Sequence, residues 1–118
     1  MEQRRRNYRE FDEIYRKYGR RFRFPVYLGT EFLETPLEDL ELSVRSYNCL
    51  RRSGIRNVGD IVGSIERRAD LLKIRNLGEK SADEIMTALM EYQFSILSDE
   101  GKRRYIVRIA ELNRKDTE

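Results

Sequence analysis

One phrase is spelled twice in this protein. Residues 55–60 read Ile-Arg-Asn-Val-Gly-Asp, and nineteen positions later residues 74–79 read Ile-Arg-Asn-Leu-Gly-Glu. In each copy an apolar residue and a glycine sit between two stretches of helical character. Such a glycine permits φ > 0 and lets another backbone come close. The repeat therefore predicts two tight hairpins between very short helices. In the second copy a helix should start right after Gly78. Its first amides, around Glu79, Lys80 and Ser81, would lack intrahelical acceptors. Free amides at a helix N-terminus bind anions readily, and Lys80 and Ser81 add a cation and a hydroxyl. That set suits one phosphate of a nucleic-acid backbone. The first copy lacks the Lys-Ser pair and reads as a structural hairpin packed against the second.

Around this centre the helical signals are local. Residues 2–19 predict an amphipathic helix, with Tyr8, Phe11, Ile14, Tyr15 and Tyr18 on one face and arginines on the other. Residues 20–34 read as an extended connector with a short strand, broken by Pro25 and Gly29. Ser43 is an N-cap candidate for a helix whose inward face would carry Val44, Tyr47 and Leu50. Gly54 suits the left-handed residue that ends it. Further helices are expected over 58–64, 66–73 and from Gly78 to about Tyr92, with Ile85, Met86, Leu89 and Met90 inward. Ser98 should cap a last helix to about Arg114, striped by Tyr105, Ile106, Ile109 and Leu112. The fold class is all-α: a compact bundle of short helices, flanked by an N- and a C-terminal helix, in which the two repeated turns resemble two helix-hairpin-helix elements. The expected domains are 1–34, 35–97 and 98–118.

Composition narrows the functions. There are 118 residues, of which 38% are charged and 39% hydrophobic. That suits one domain of ordinary size. No apolar run approaches the length of a membrane span, and the basic N-terminus lacks the apolar core of a signal peptide. With one cysteine and no histidine, neither an internal disulfide nor a zinc site is expected. A reducing, cytoplasmic location follows as the expectation. No nucleophile–base pair or metal cluster is recognisable, so neither an enzyme nor a cofactor is expected. Charge is unevenly spread. Residues 1–24 carry nine Lys/Arg against four Asp/Glu, whereas Glu31, Glu34, Glu38, Asp39 and Glu41 form an acidic cluster. An acidic ridge beside a basic body could meet two partners of opposite sign.

Two longer segments, DLELSVRSYNCL over 39–50 and NLGEKSADEI over 76–85, resemble the C-terminal domain of the bacterial RNA polymerase α subunit. The resemblance runs from about Pro36 to Leu97. It implies a domain that binds the minor groove of A/T-rich double-stranded DNA upstream of promoters, and with it a nucleoid-associated location. It would send Arg45 into the groove, which is physically sensible because a narrow A-tract groove has enhanced negative potential. Asn48, one turn on, would face the same way, and Cys49 would lie near the backbone. Gly78, Lys80 and Ser81 match the family's phosphate contacts. Glu84 matches an acidic position that could orient Arg45 or Lys80. The alternative for Arg45 is an ion pair with Glu41. Leu37, Asp39 and Glu41 match a surface for sigma factor or an activator.

The sequence also departs from that family. Arg67 and Arg68 reverse the acidic character of the family's second activator surface, so that contact does not carry over. Glu79 replaces a basic residue beside the phosphate loop. The long N-terminal domain of an α subunit finds no room here, so the resemblance implies a free-standing relative. Two other functions stay open. One is an interaction protein that mimics the α domain and binds sigma or a regulator with little DNA binding. The other is a non-specific helix-hairpin-helix accessory of repair or recombination.

Overall fold

The computed structural model of the protein describes residues 30–64 and 68–117. The predicted helix over 2–19 lies outside the described residues. The fold is all-α. Helix α1 covers Thr30–Leu33, a 3-10 turn covers Leu37–Leu40, and α2 covers Val44–Arg52. They are followed by α3, Val58–Ser64, α4, Arg68–Leu71, α5, Glu79–Ser95, and α6, Asp99–Thr117.

Helix α5 is the axle. The 3-10 turn, α2, α4 and α6 all pack on it, while α3 packs chiefly on α1. It can serve this way because Ile85, Met86, Leu89 and Met90 are all buried, as their spacing predicts, and Ala82 and Ala88 let neighbours approach. Leu37, Leu40, Leu50, Ile61 and Leu71 complete the core around it. The last helix shares that core through Tyr105 and Ile109.

Local chemistry sets most boundaries. The Ser43 side chain accepts from the Ser46 amide and starts α2. Gly54, at φ 86°, turns the backbone after it. Ser98 Oγ accepts from the Gly101 amide at 3.1 Å and starts α6. Two expectations need correction. The stretch before Thr35 is helical at Thr30–Leu33 rather than extended, because Phe32 drives into the core at 2% exposure and stacks on Tyr92. An isolated bridge between Pro36 and Asn57 is the extended pairing found nearby among the described residues. The inward face of α2 is also rotated from the expected one. Val44 is 74% exposed, and Ser46, Cys49 and Leu50 point inward instead. Residues spaced by threes drift around a 3.6-residue helix, so Val44, Tyr47 and Leu50 cannot share one narrow face.

Candidate nucleic-acid interface

The two copies of the repeated phrase fold differently. In the first, Asn57 is an N-cap: its Oδ1 accepts from the Asp60 amide at 2.9 Å. Asp60 Oδ2 in turn accepts from the Arg56 amide at 2.8 Å. Helix α3 begins at once, at Val58. In the second copy Asn76 is itself left-handed, with φ 65°, and the helix waits until Glu79. So neither hairpin glycine needs a positive φ. The strain sits on Asn76, a residue type that tolerates it.

The glycines differ in surroundings too. A Cβ at Gly59 would meet the Leu33 carbonyl oxygen at 2.9 Å, so this glycine is needed for α3 to close on α1. The first hairpin is therefore structural, though it leans on α1 rather than on the second hairpin. A Cβ at Gly78 would meet none of the described residues within 4 Å. Gly78 is the N-cap of α5, carries no capping side chain, and opens to solvent. The first amides of α5 thus lack intrahelical acceptors beside an open surface. Lys80 is exposed there and makes no ion pair among the described residues. Ser81 is only 7% exposed, which leaves its hydroxyl little access to a ligand.

Helix α2 is clamped against this turn at two points. The first is Glu84, one turn into α5 from Lys80. Its carboxylate accepts from the Ser43 amide at 2.6 Å and from Ser43 Oγ at 2.8 Å. It also accepts from Ser46 Oγ at 2.6 Å. The residue expected to orient Arg45 or Lys80 thus acts on the N-terminus of α2, where a negative charge also complements the helix dipole. The second point is Cys49. Its thiol is 4% exposed and donates to the Asn76 carbonyl at 3.3 Å. Cys49 therefore faces the hairpin rather than solvent, and any influence on a bound ligand runs through the turn it holds.

Arg45 and Asn48 lie one step around α2 from the clamped pair Ser46 and Cys49. Arg45 is exposed, and the alternative ion pair with Glu41 is not formed among the described residues. Asn48 is half-buried. Arg52, seven residues after Arg45, extends the same stripe and is exposed. Sequence reasoning passes over Arg52, although its two-turn spacing from Arg45 is signal enough to find it. The site is thus a stripe of two guanidiniums and an amide on a helix hydrogen-bonded to α5 and to the turn before it, whose open N-terminus carries a lysine.

On the other side of α2 the acidic ridge is real. Glu31, Glu34, Glu38, Asp39 and Glu41 are all exposed. Leu37 is not part of that surface: it is fully buried, because the 3-10 turn inserts it and Leu40 into the core. Glu41 closes the turn in a left-handed conformation, φ 54°. Tyr47 Oη donates to Glu38 Oε2 at 2.6 Å and accepts from Arg51 Nη1 at 2.9 Å, tying the ridge to α2. The hydrogen bond from Tyr47 holds the Glu38 carboxyl below its ordinary range, and the same bond pushes the Tyr47 phenol up.

This arrangement has known relatives. The family model for the C-terminal domain of the bacterial RNA polymerase alpha subunit matches residues 28–91. The protein belongs to that family. A DNA-directed RNA polymerase subunit alpha from Carboxydothermus hydrogenoformans is 49% identical over 67 residues, 57% of this sequence and 21% of that subunit. The alpha subunit of Acidothermus cellulolyticus is 55% identical over 64 residues, 54% of this sequence and 18% of that subunit. The aligned part therefore spans about a fifth of the length of these relatives. The alpha C-terminal domain match contains the whole of the two-point clamp, Ser43, Ser46, Cys49, Asn76 and Glu84. Helix α6 lies beyond it.

Proposed function

We propose that this alpha C-terminal domain relative is a non-catalytic, transcription-associated module that binds the minor groove of A/T-rich duplex DNA. Family membership supports the DNA-binding, transcription-associated role. The single observation that carries the finer reading is the clamp. Glu84 and the Cys49–Asn76 contact hold an exposed Arg45 beside the open N-terminus of α5. Arg45 enters the groove and Asn48 reaches a base edge or sugar next to it. The amides after Gly78, with Lys80, take a phosphate of the flanking backbone. Arg52 adds a second backbone contact along the stripe.

The test is fluorescence anisotropy on an A-tract and a G/C-rich duplex, with wild type and Arg45→Ala. The A-tract should bind more tightly, and Arg45→Ala should remove about 1–3 kcal/mol of that binding, roughly a 5- to 150-fold loss. With about five phosphate contacts, log affinity should fall with log salt at a slope of roughly −4 to −5. Affinity indifferent to both sequence and Arg45 would refute the groove reading and favour the non-specific accessory. A second reading rests on the exposed acidic ridge. Asp39 and Glu41 dock a basic element of sigma factor or an activator, and the protein acts through that partner. Sigma capture lost in an Asp39→Lys, Glu41→Lys variant, with no DNA shift in wild type, would make this second reading the main one.

A further inference from the structure

The repeated phrase carries an arginine that the interface above leaves unused. Arg75, in the second copy, is exposed and makes no ion pair among the described residues. It sits at the tip of a four-residue turn. The Leu77 amide donates to the Ile74 carbonyl at 3.1 Å, and Asn76 supplies the left-handed corner at φ 65°. Leu77 is 5% exposed and Ile74 packs on the same core. Both feet of the turn are thus pinned, and its tip is left at the surface.

The same turn brings Arg75 to the other candidate DNA contacts. It lies three residues before Gly78, so their Cα atoms are at most about 11 Å apart. The neighbouring Asn76 carbonyl accepts from the Cys49 thiol, which ties the tip to the middle of α2. Arg52 is exposed and one helical turn on from Cys49, so each of the two arginines is a short step from that contact. Arg45, Arg52, Arg75 and Lys80 are four exposed cations on α2 and around the turn, none with an ion pair among the described residues. Glu79 is an acid among them, yet neither Arg75 nor Lys80 pairs with it. Nearby cations are matched instead: Lys73 meets Asp70 at 3.4 Å and Arg51 meets Glu38 at 3.7 Å. Unmatched like charges repel one another, and gathered on one side they are the electrostatic footprint of an anionic partner.

We propose that Arg75 is a further phosphate-contacting residue, which grips the DNA backbone beside the phosphate held at Gly78 and offsets the acid at Glu79. The inference rests on the DNA-binding reading above. The contact is to backbone alone and carries no sequence preference. The repeat supplies its own control. Arg56 holds the same place in the first copy and is also exposed. Its amide is held by Asp60, and its carbonyl accepts from the Leu37 amide at 3.2 Å, which sets it against the acidic 3-10 turn.

The test is fluorescence anisotropy on the A-tract and G/C-rich duplexes over a range of salt concentrations, with wild type, Arg75→Ala, Arg75→Lys, Arg56→Ala and Arg45→Ala. Arg75→Ala should weaken both duplexes by the same factor, about fivefold at 0.15 M salt, and flatten the slope of log affinity against log salt by about 0.9. The A-tract preference should stay. Arg75→Lys should restore most of the affinity and the slope, and Arg56→Ala should match wild type. The Arg75 side chain has no partner to lose, so the Tm of Arg75→Ala should equal that of wild type. Wild-type affinity and slope in Arg75→Ala would overturn the proposal. So would an equal effect of Arg56→Ala, which would reduce Arg75 to general charge. Indifference to Arg45→Ala, with the Arg75 effect kept, would refute the groove reading and leave the Arg75 contact standing. A wild type that binds neither duplex would overturn both.

Discussion

Glu84 is the residue whose removal should cost most outside the apolar core. Its carboxylate gathers three donors from the first turn of α2: the Ser43 amide, Ser43 Oγ and Ser46 Oγ, at 2.6, 2.8 and 2.6 Å. Ser43 is exposed and Glu84 half-buried, so water can replace much of the first two bonds and each contributes little. Ser46 is different, because it is fully buried. Glu84→Ala leaves its hydroxyl with only the 3.3 Å contact to Ser43 Oγ. An underserved buried hydroxyl costs about 1–3 kcal/mol, and the lost exposed bonds add about 1 kcal/mol. The expected loss is about 2–4 kcal/mol, or a fall in Tm of roughly 10–25 °C for a domain of this size. Thermal unfolding followed by circular dichroism measures it. Glu84→Gln should fall between wild type and Glu84→Ala, since an amide keeps one acceptor oxygen but cannot take three donors. Anisotropy on the A-tract duplex should weaken in parallel, because Arg45 rides on the clamped helix. An unchanged Tm in Glu84→Ala would refute the clamp as an energetic element, and with it the account of how Arg45 is positioned.

The two hairpin glycines should respond to different extents to the same change. Gly59→Ala forces a methyl to 2.9 Å from the Leu33 carbonyl and should destabilise the fold by about 1–3 kcal/mol in denaturant unfolding. Gly78→Ala meets open space at φ −94° and should cost at most about 1 kcal/mol, the difference between glycine and alanine at an N-cap. Glu41 holds φ 54° without being a glycine, so Glu41→Gly should raise stability by about 0.5–1 kcal/mol; a loss would mean that the carboxylate contributes more than the backbone costs. Tyr47→Phe removes the donor that lowers the Glu38 pKa, so that pKa should rise toward the ordinary carboxylate value in a carboxyl NMR titration. Because the folded pKa is depressed, the contribution of Glu38 is present above the unfolded carboxylate pKa. It is lost as pH falls through the folded value, and that acid-side loss should shrink in Tyr47→Phe.

Much of the fold is legible because it is written in short-range chemistry. Ser43, Gly54 and Ser98 act on amides and carbonyls within a few residues, and α5 is long enough for its apolar period to show its buried face. The shortest elements defeat that reading. Leu37 sits in a four-residue 3-10 turn and Phe32 in a four-residue helix, too short for a period to assign a side. Leu37 thus reads as part of a partner surface although it belongs to the core. In α2 the expected face is off by a step because its inward side includes the small polar Ser46, which has no hydrophobic signature.

Residue order alone is enough for an all-α bundle with two hairpins, an exposed Arg45, an open turn after Gly78 and an acidic ridge. It is not enough for what the repeated phrase does in each copy. Asn57 caps a helix and Asn76 turns left-handed, although both lie between arginine and an apolar residue. Their immediate neighbours are nearly the same, so the difference comes from packing: α1 closes on Gly59, while none of the described residues closes on Gly78. The clamp has the same origin. Glu84 meets Ser46 across 38 residues, and Cys49 meets Asn76 across 27. No local preference reports a partner that far away; it exists once the core has brought α2 and α5 together.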